Sequence, residues 1–397
     1  MALPIFDPRD AGQTSDPDPH LRESRARCPV ASPYAGLRVV VLDADVRAVL
    51  TDADNYSNRG NFRLAEEDEQ DFTLITSADG SLHTELRRRM HKNFAPRPLR
   101  KLRARVAELV DSTVAALPDR GEVDLYEHFV RHVPIAVVYA LIGLPEENWA
   151  LAEKYGDAIV STVPAPAEDL PEYAQLMTLL GEAVAQRRAH PDVRREDVMD
   201  NLCFAAAGER EMSAEEVVAH LLQLVLAGTD TTRSLITNCV WRLLQDGAVA
   251  WDSVVAGRDR LPNAIEESLR YDAPVQFIMR SARTAKALRG HPVEPGDKIL
   301  LSLQSANRDE ATWGADADRF DPAREGVAAH LAFGRGRHNC LGAPLARIEA
   351  EVAVGALMDR FPRMRLSQDA AWVDTSGPIS RRPDRMLVDL APAPVPG

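Results

Sequence analysis

The sequence has few cysteines, and none of them form a closely spaced pair. The chain contains four, at positions 28, 203, 239 and 340. Structural zinc sites and the disulfide frameworks of small secreted domains need cysteines at short, regular spacing. We therefore exclude both kinds of site and expect a reducing, cytoplasmic location.

Long apolar runs and an excess of positive charge are also absent. The longest apolar run, 135–144, lies between two prolines and is too short to span a membrane. The first residues lack the basic residues and apolar core of a secretory signal. A net charge of −13 argues against nucleic acid as the main partner. No internal repeat, dinucleotide-binding glycine turn or flavin segment is found.

The totals leave the number of domains open. A chain of 397 residues can hold two or three average domains or one large one. The hydrophobic fraction of 45% supports a sizeable core. Residues 1–20 are rich in Asp and Pro and are expected to form a loosely ordered lead-in, and the Pro-rich tail 391–397 is expected to fray.

Apolar periodicity predicts a mostly helical chain. Helical spacing covers 99–117, 125–144, 147–160 and 172–188. The longest periodic stretch, Ser213 to Gln245, opens with a capping-box arrangement in which Ser213 is the N-cap and Glu216 lies three positions on. In its middle, 227–232 holds a glycine and threonines that lower helix propensity, which indicates either a kinked core helix or a functional interruption.

Strands are expected in a smaller part of the chain. Leu37 to Leu42 is β-branched and apolar, and 43–50 after it has the pattern of a short helix with an Asp cap. Pro274 predicts an extended segment over 275–280. Val293 to Leu303, with Pro295-Gly296 as its turn, is typical of a β-hairpin.

The most informative stretch is 333–342, where three glycines surround one cysteine. Gly334 and Gly336 suit a tight loop, because glycine tolerates positive φ and lets a flat ligand approach the backbone. Cys340 lies where this loop turns into a helix whose first turn contains Pro344. The N–H groups and dipole at a helix start favour a thiolate, and a thiolate can bind haem iron. A small buried cysteine is the other interpretation of Cys340 taken alone.

As a ten-residue pattern, this stretch resembles the haem-binding signature of the cytochrome P450 family. The matching residues are Phe333, Gly334, Gly336, His338, Cys340 and Gly342. The continuation 343–349 is similar to that family's next helix. The resemblance implies one domain over 1–397, mainly α with a small β-rich lobe, and haem b (iron protoporphyrin IX) as cofactor with Cys340 as the iron ligand.

A second match is the pair His83 and Arg87, which share one helix face. The resemblance implies that they bind haem propionates. From Leu86 to Ala107 there are nine Lys or Arg and no Asp or Glu. Such a run is usually a solvated face, but with the Cys340 loop it can also dock an acidic, ferredoxin-type electron donor.

Two further matches lie between residues 227 and 319. Ala227, Gly228, Asp230 and Thr231 are similar to the family's oxygen-binding helix, which implies that Asp230 and Thr231 organise proton delivery. Glu267 and Arg270 match a buried structural pair of the family, with Arg319 as the expected third member. In the family, the segment after Pro274 passes over the haem, which implies that Arg280 binds a propionate.

The same resemblance implies a set of substrate contacts. The apolar candidates are Phe62, Phe72, Leu74, Ile75, Val275, Phe277, Ile278 and Ile379. The phenylalanines of the 55–80 loop are equally well explained as anchors of a surface loop. We expect a haem-thiolate monooxygenase that uses O2 on a small, largely apolar organic substrate, most simply by hydroxylation. A peroxide-driven enzyme of the same fold and a non-catalytic haem sensor are the alternatives.

Overall fold

The computed structural model describes residues 6–61, 73–160, 170–374 and 380–391. Helices dominate the chain and strands form small sheets, which confirms the predicted fold class. The chain divides into two compact units. The first unit comprises 1–82, 263–340 and 374–382, and the second comprises 83–262, 341–373 and 383–397.

The described helices and strands follow in chain order. The α-helices are α1 (Ala11–Ser15), α2 (Pro17–Arg27), α3 (Asp43–Thr51), α4 (Gly80–His91), α5 (Pro96–Ala116), α6 (Val133–Ile142), α7 (Trp149–Val160), α8 (Pro171–Ala189), α9 (Val198–Cys203), α10 (Ala214–Leu244), α11 (Val249–Ala256), α12 (Leu261–Tyr271), α13 (Leu303–Ala306), α14 (Glu310–Trp313) and α15 (Ala343–Arg360). The strands are β1 (Val30–Ala31), β2 (Leu37–Val40), β3 (Tyr56–Ser57), β4 (Glu122–Asp124), β5 (Phe277–Ala282), β6 (Lys286–Leu288), β7 (His291–Val293), β8 (Lys298–Ser302), β9 (Arg365–Leu366) and β10 (Leu387–Asp389).

The first unit is built on a five-stranded sheet in the order β1-β2-β8-β5-β3. Strand β2 pairs with β8 in parallel, and the other neighbours are antiparallel. Apolar side chains of β5 and β8 divide between two buried clusters, one containing Ile278 and Leu301 and the other containing Phe277 and Leu300. The central strands are therefore buried on both faces.

The predicted hairpin over 293–303 is wrong. Strand β7 pairs with β6, whereas β8 pairs with β2 and β5. The hairpin turn is Arg289-Gly290, where φ is 47° and 82°. Positive φ at both central residues matches the twist of a two-residue hairpin turn. A turn at Pro295-Gly296 does occur, but it leads the chain out of β7 into a different sheet.

The prediction that residues 1–20 are loosely ordered is wrong for 6–20. Helices α1 and α2 begin within this segment. Phe6 is 1% exposed and stacks on Phe277, with ring centroids 5.0 Å apart. Asp18 accepts a hydrogen bond from Arg381 at 2.7 Å and pairs with Arg308 at 3.1 Å. Because these contacts join residues far apart in the chain, local composition does not reveal them.

Helix α3 follows β2 as expected, but its predicted Asp cap is absent. Asp43 is the first helical residue and its side chain binds Arg47. The backbone N–H of Asp43 instead donates to the Asp309 carboxylate at 2.9 Å. A carboxylate at a helix start satisfies a backbone N–H and complements the dipole, and here it comes from a distant segment.

A buried ion-pair network fixes α12 in the first unit. The Arg270 guanidinium, 0% exposed, donates to both Glu267 carboxylate oxygens at 2.7 and 2.8 Å. It also donates to the carbonyls of Asn307, Ala317 and Arg319. The third charged member is Arg324, whose Nε lies 3.3 Å from Glu267.

The prediction that Arg319 would be this third member is therefore wrong for its side chain. The Arg319 guanidinium is 68% exposed and pairs with Asp321 and Asp316. Arg324, by contrast, is only 9% exposed. Arg319 contributes its carbonyl to the network, since the chain turns its side chain outward at this point.

Helix α10 is the longest helix and the central helix of the second unit. Ser213 is its N-cap and accepts a hydrogen bond from the N–H of Glu216 at 3.1 Å, as predicted. The Glu216 carboxylate binds Arg210 rather than closing the capping box. The helix continues without interruption through 227–232 and packs against α6, α8 and α15.

The remaining helices follow the predicted pattern closely, with one exception. The stretch 125–144 divides into a π-turn over 126–130 and helix α6, because Pro134 belongs in the first turn of a new helix. A small sheet, β4-β10-β9, completes the second unit. Within the described ranges, no helix has both the length and the apolarity needed to cross a membrane.

Candidate active site

The Cys340 loop belongs to the first unit and is closed by backbone hydrogen bonds. The N–H of Cys340 donates to the carbonyl of Phe333 at 2.8 Å, and Gly334 N–H donates to Leu331 at 2.7 Å. A single 3₁₀ turn, Gly336–His338, lies between them. Cys340 is exposed at the end of this loop. The loop therefore presents a sulfur from a conformation fixed by its own backbone.

Two glycines of the loop have the backbone that the sequence predicts. Gly334 has φ 65° and Gly336 has φ 79°. A Cβ on Gly336 would lie 2.6 Å from the carbonyl oxygen of Leu50, whereas one on Gly334 would meet nothing closer than 4.0 Å. Glycine at 336 thus allows the loop to lie directly against the end of α3.

We expect Gly336→Ala to destabilise the protein much more than Gly334→Ala. Both substitutions lower the stability by about 1 kcal/mol, because alanine must adopt the left-handed backbone conformation. Only the alanine at 336 also meets backbone, which adds roughly 1–3 kcal/mol of overpacking. Urea unfolding and the fraction of protein that retains iron measure both effects. Equal losses for the two variants would show that the contact with Leu50 does not fix the loop.

Arg280 provides the second element of the site in the first unit. It is 4% exposed on β5, and its guanidinium donates to the Met279 carbonyl at 2.7 Å. Burial lowers the Arg280 pKa to about 10, with the charge of Asp79 acting in the opposite direction. Among the described residues no carboxylate lies within ion-pair distance of Arg280. A buried cation of this kind is stabilised by an anionic ligand.

The loop and Arg280 together fit a haem. The exposed Cys340 supplies a sulfur ligand for the iron, and the loop glycines, which lack a Cβ, let a flat ligand approach the backbone. The buried Arg280 guanidinium can bind a haem carboxylate. His338 lies in the same unit, with its Nε2 3.9 Å from Asp79. Asp79 was not identified from the sequence, because an isolated Asp before a helix has the appearance of an ordinary cap.

The predicted pair His83 and Arg87 lies on α4 in the second unit. The two residues are one turn apart, with His83 4% exposed and Arg87 partly buried. They share a helix face, as their spacing predicts.

The predicted acid and alcohol lie on α10, also in the second unit. Asp230 and Thr231 are partly exposed, whereas the neighbouring Thr229 and Thr232 are 0% and 3% exposed. The Thr231 hydroxyl donates to the carbonyl of Ala227 at 2.6 Å. This bond leaves the lone pairs of the hydroxyl oxygen available to accept a hydrogen bond.

Gly228 has a packing role that the sequence did not reveal. A Cβ there would lie 2.7 Å from Val138 Cγ2 on α6. The small residue therefore lets α10 and α6 approach closely, and this explains the glycine without reference to a cofactor. Ala227 is exposed.

The predicted substrate contacts divide into three groups. Phe62, Phe72 and Ile379 lie outside the described residues. Leu74 and Ile75 are partly exposed, and Val275 is partly buried against the cluster that contains Ile278. Phe277 and Ile278 are 6% and 9% exposed in the two sheet clusters. Phe277 also stacks on Phe6, so its ring is part of the core, and its role as a substrate contact stays a prediction.

Comparison with known proteins agrees with this arrangement. A family model described as Cytochrome P450 matches residues 258–384. Cytochrome P450 107B1 of Saccharopolyspora erythraea is 36% identical over 307 residues, which are 75% of this chain and 73% of that protein. The chain belongs to the cytochrome P450 family. It is therefore a haem-iron monooxygenase of small organic molecules.

Other relatives of this P450 have names that state an activity or a ligand. Erythromycin C-12 hydroxylase of the same organism is 34% identical over 357 residues, 87% of each chain. The crystal structure of CYP109E1 from Bacillus megaterium in complex with testosterone superposes with a TM-score of 0.83 at 26% identity, covering 94% of this chain and 99% of that one. This similarity confirms the P450 fold.

Proposed function

We propose that this P450 binds haem b through Cys340 and hydroxylates a small, largely apolar organic substrate with electrons from a ferredoxin. The observation that carries the proposal is the exposed Cys340 at the end of a backbone-closed glycine loop. Arg280 and His338 in the first unit are the proposed carboxylate-binding groups. The same role is proposed for His83 and Arg87 from their match to the family motif, and a cytoplasmic location stays a prediction.

The cofactor and the protein side chains have separate proposed roles. When bound, a thiolate-ligated haem supplies oxygen activation. Cys340 supplies the thiolate, and the other haem-loop residues, Phe333, Gly334, Gly336, His338 and Gly342, hold it in place. Asp230 exchanges protons with solvent, and Thr231 accepts a hydrogen bond from a water molecule and holds that water in place.

Hydroxylation is proposed because of the named activities of two relatives. One is the erythromycin C-12 hydroxylase, and another is a vitamin D(3) 25-hydroxylase from Pseudonocardia autotrophica, which is 31% identical over 89% of this chain and 88% of that protein. Leu74, Val275 and Ile278 remain proposed apolar contacts. Titrating the purified protein with candidate compounds while following the optical spin-state change of the haem identifies the substrate.

The proposed docking site for the electron donor is narrower than the sequence indicated. Within 86–107, six cations lie within 4 Å of acids in the same unit: Arg88, Arg89, Lys92, Lys101, Arg103 and Arg105. Arg97 and Arg100 are exposed and have no carboxylate within that distance among the described residues. The Lys101 pair, at 3.9 Å between exposed groups, contributes little. Within 86–107 we therefore propose that Arg97, Arg100 and Lys101 contact the donor.

Replacing Thr231 by alanine tests the proposed proton delivery. With the substrate identified, NADH consumption through a ferredoxin and its reductase should continue, while product per NADH falls about tenfold or more, the size of effect typical of one positioned proton-transfer group. Peroxide release should account for the lost electrons. Product, peroxide and NADH are measured in the same reaction.

Two matched variants complete that test. Thr231→Ser keeps a hydroxyl and should restore most of the coupling. Thr232→Ala removes a buried hydroxyl one residue away and should alter stability without altering coupling. Unchanged coupling in Thr231→Ala would remove Thr231 from its proposed role. Substrate oxidation supported by peroxide but not by NADH would favour the peroxide-driven alternative.

A further inference from the structure

Asp79 is an acid that the proposed mechanism does not use, although it lies among the proposed haem-carboxylate ligands. It directly precedes α4 and belongs to the first unit. Its carboxylate accepts hydrogen bonds from Ser57 Oγ at 2.5 Å, from the N–H of Asn58 at 3.2 Å and from Arg283 Nη2 at 2.5 Å. Three donors from two separate segments therefore hold this carboxylate in one position.

The same carboxylate lies near His338 and acts electrostatically on Arg280, the two proposed haem-carboxylate ligands of its unit. Its Oδ1 lies 3.9 Å from His338 Nε2, too far for a direct hydrogen bond. Its charge also favours the charged form of the buried Arg280 guanidinium and so opposes the lowering of the Arg280 pKa by burial. Asp79 is thus a carboxylate held near His338, and its field also reaches Arg280.

A negative charge in this position has an electrostatic consequence for a bound haem. A haem carboxylate held by Arg280 and His338 would lie near Asp79, which carries the same sign of charge and is itself paired with Arg283. Reduction adds one electron to the haem, and a nearby fixed anion makes that addition less favourable. The side chain of Asp79 is only 25% exposed, so solvent screens its field incompletely.

We propose that Asp79 is a positioning and tuning residue that lowers the reduction potential of the haem through its fixed charge. This inference rests on the proposed haem site and assigns to it a residue that does not contact the iron or the substrate. A purely structural role is the competing explanation, since Asp79 also connects β3 to the residues after β5. The two explanations differ because only the first depends on the charge.

The test is a spectroelectrochemical redox titration of the purified holoenzyme. Asp79→Asn should shift the midpoint potential in the positive direction, because it removes the charge and keeps the shape. Asp79→Glu should remain closer to the wild type. Ser57→Ala removes one of the hydrogen bonds that hold Asp79 but keeps its charge, and should change the unfolding free energy more than the potential. If Asp79→Asn does not fold, Asp79→Ser gives a second neutral variant that can still accept from Asn58.

A matched control is Asp45→Asn, which removes an acid of the same unit that pairs with Arg289. Its effect on the potential should be smaller than that of Asp79→Asn. A midpoint unchanged by neutral substitutions of Asp79, a negative shift, or a shift no larger than that of Asp45→Asn would overturn the assignment while leaving the haem site intact. Purified protein without haem, or haem without a thiolate spectrum, would overturn the proposed function and this inference together.

Discussion

Replacing Cys340 by serine should abolish the thiolate spectrum of the haem and, with it, monooxygenase activity. A serine hydroxyl is a poor iron ligand at neutral pH, and it cannot donate electron density as a thiolate does. The measurement is the absorption spectrum of the reduced protein under carbon monoxide, in which a thiolate ligand produces a strongly red-shifted Soret band. We expect this band to disappear completely, and any remaining haem to show the spectrum of a neutral ligand.

The other three cysteines are unsuited to this role. Cys28 and Cys239 are buried, and Cys203 is partly buried. Burial raises the pKa of the Cys203 thiol and raises that of Cys239 to about 12, so both remain protonated at neutral pH. Cys340, by contrast, is exposed.

Cys203→Ser is therefore the matched control for Cys340→Ser. It removes a partly buried thiol outside the glycine loop, and it should leave the carbon-monoxide spectrum unchanged. A red-shifted band that survives in Cys340→Ser and vanishes in Cys203→Ser would assign the iron ligand to a different part of the fold.

The sequence predicts conformation well where a few neighbouring residues decide it. Positive φ at Gly334 and Gly336 follows from the lack of a Cβ. The start of α10 follows from the Ser213 cap, and Pro344 lies in the first turn of α15 as expected. The local parts of the Cys340 loop are predictable for the same reason.

Prediction fails where the partner of a residue is far away in the chain. The carboxylate that caps α3 comes from Asp309, 266 residues after Asp43. Strand β8 satisfies its hydrogen bonds with β2 and β5, so the nearby β7 cannot pair with it. Two strands that are adjacent in sequence usually pair as a hairpin. When each pairs with a more distant strand instead, the residues of the turn between them do not show it.

The candidate site shows the same limit. The type and spacing of residues predict an iron-binding sulfur, an acid and an alcohol, but not which groups surround Arg280. Asp79 meets Arg283 across 204 residues of sequence and Ser57 across 22. Nor does the sequence reveal that Phe277 packs on Phe6, because an apolar residue on a central strand serves a core and a substrate pocket equally well.

Arg270→Ala should prevent the protein from accumulating in folded form. Removing Arg270 leaves the buried Glu267 carboxylate with the more distant Arg324, and breaking a buried ion pair costs about 3–5 kcal/mol. Here the loss also leaves the carbonyls of Asn307, Ala317 and Arg319 without a donor. Typical domains have a total stability of about 5–15 kcal/mol, so the broken pair alone removes a large share of it and the carbonyls left without a donor add to the loss. The yield of folded holoenzyme and its urea unfolding curve measure the effect.

Two other arginines, Arg324 and Arg319, test whether the loss of stability depends on burial within the network rather than on charge alone. Arg324→Ala removes a guanidinium that is 9% exposed and paired with Glu267, and it should destabilise the protein clearly, though less than Arg270→Ala. Arg319→Ala removes one that is 68% exposed and should stay within about 0.5 kcal/mol of the wild type, as surface substitutions usually do. The urea unfolding midpoints of the three variants measure these losses of stability. A loss from Arg319→Ala as large as that from Arg324→Ala would mean that the Arg319 side chain, and not only its carbonyl, stabilises the Glu267–Arg270 pair.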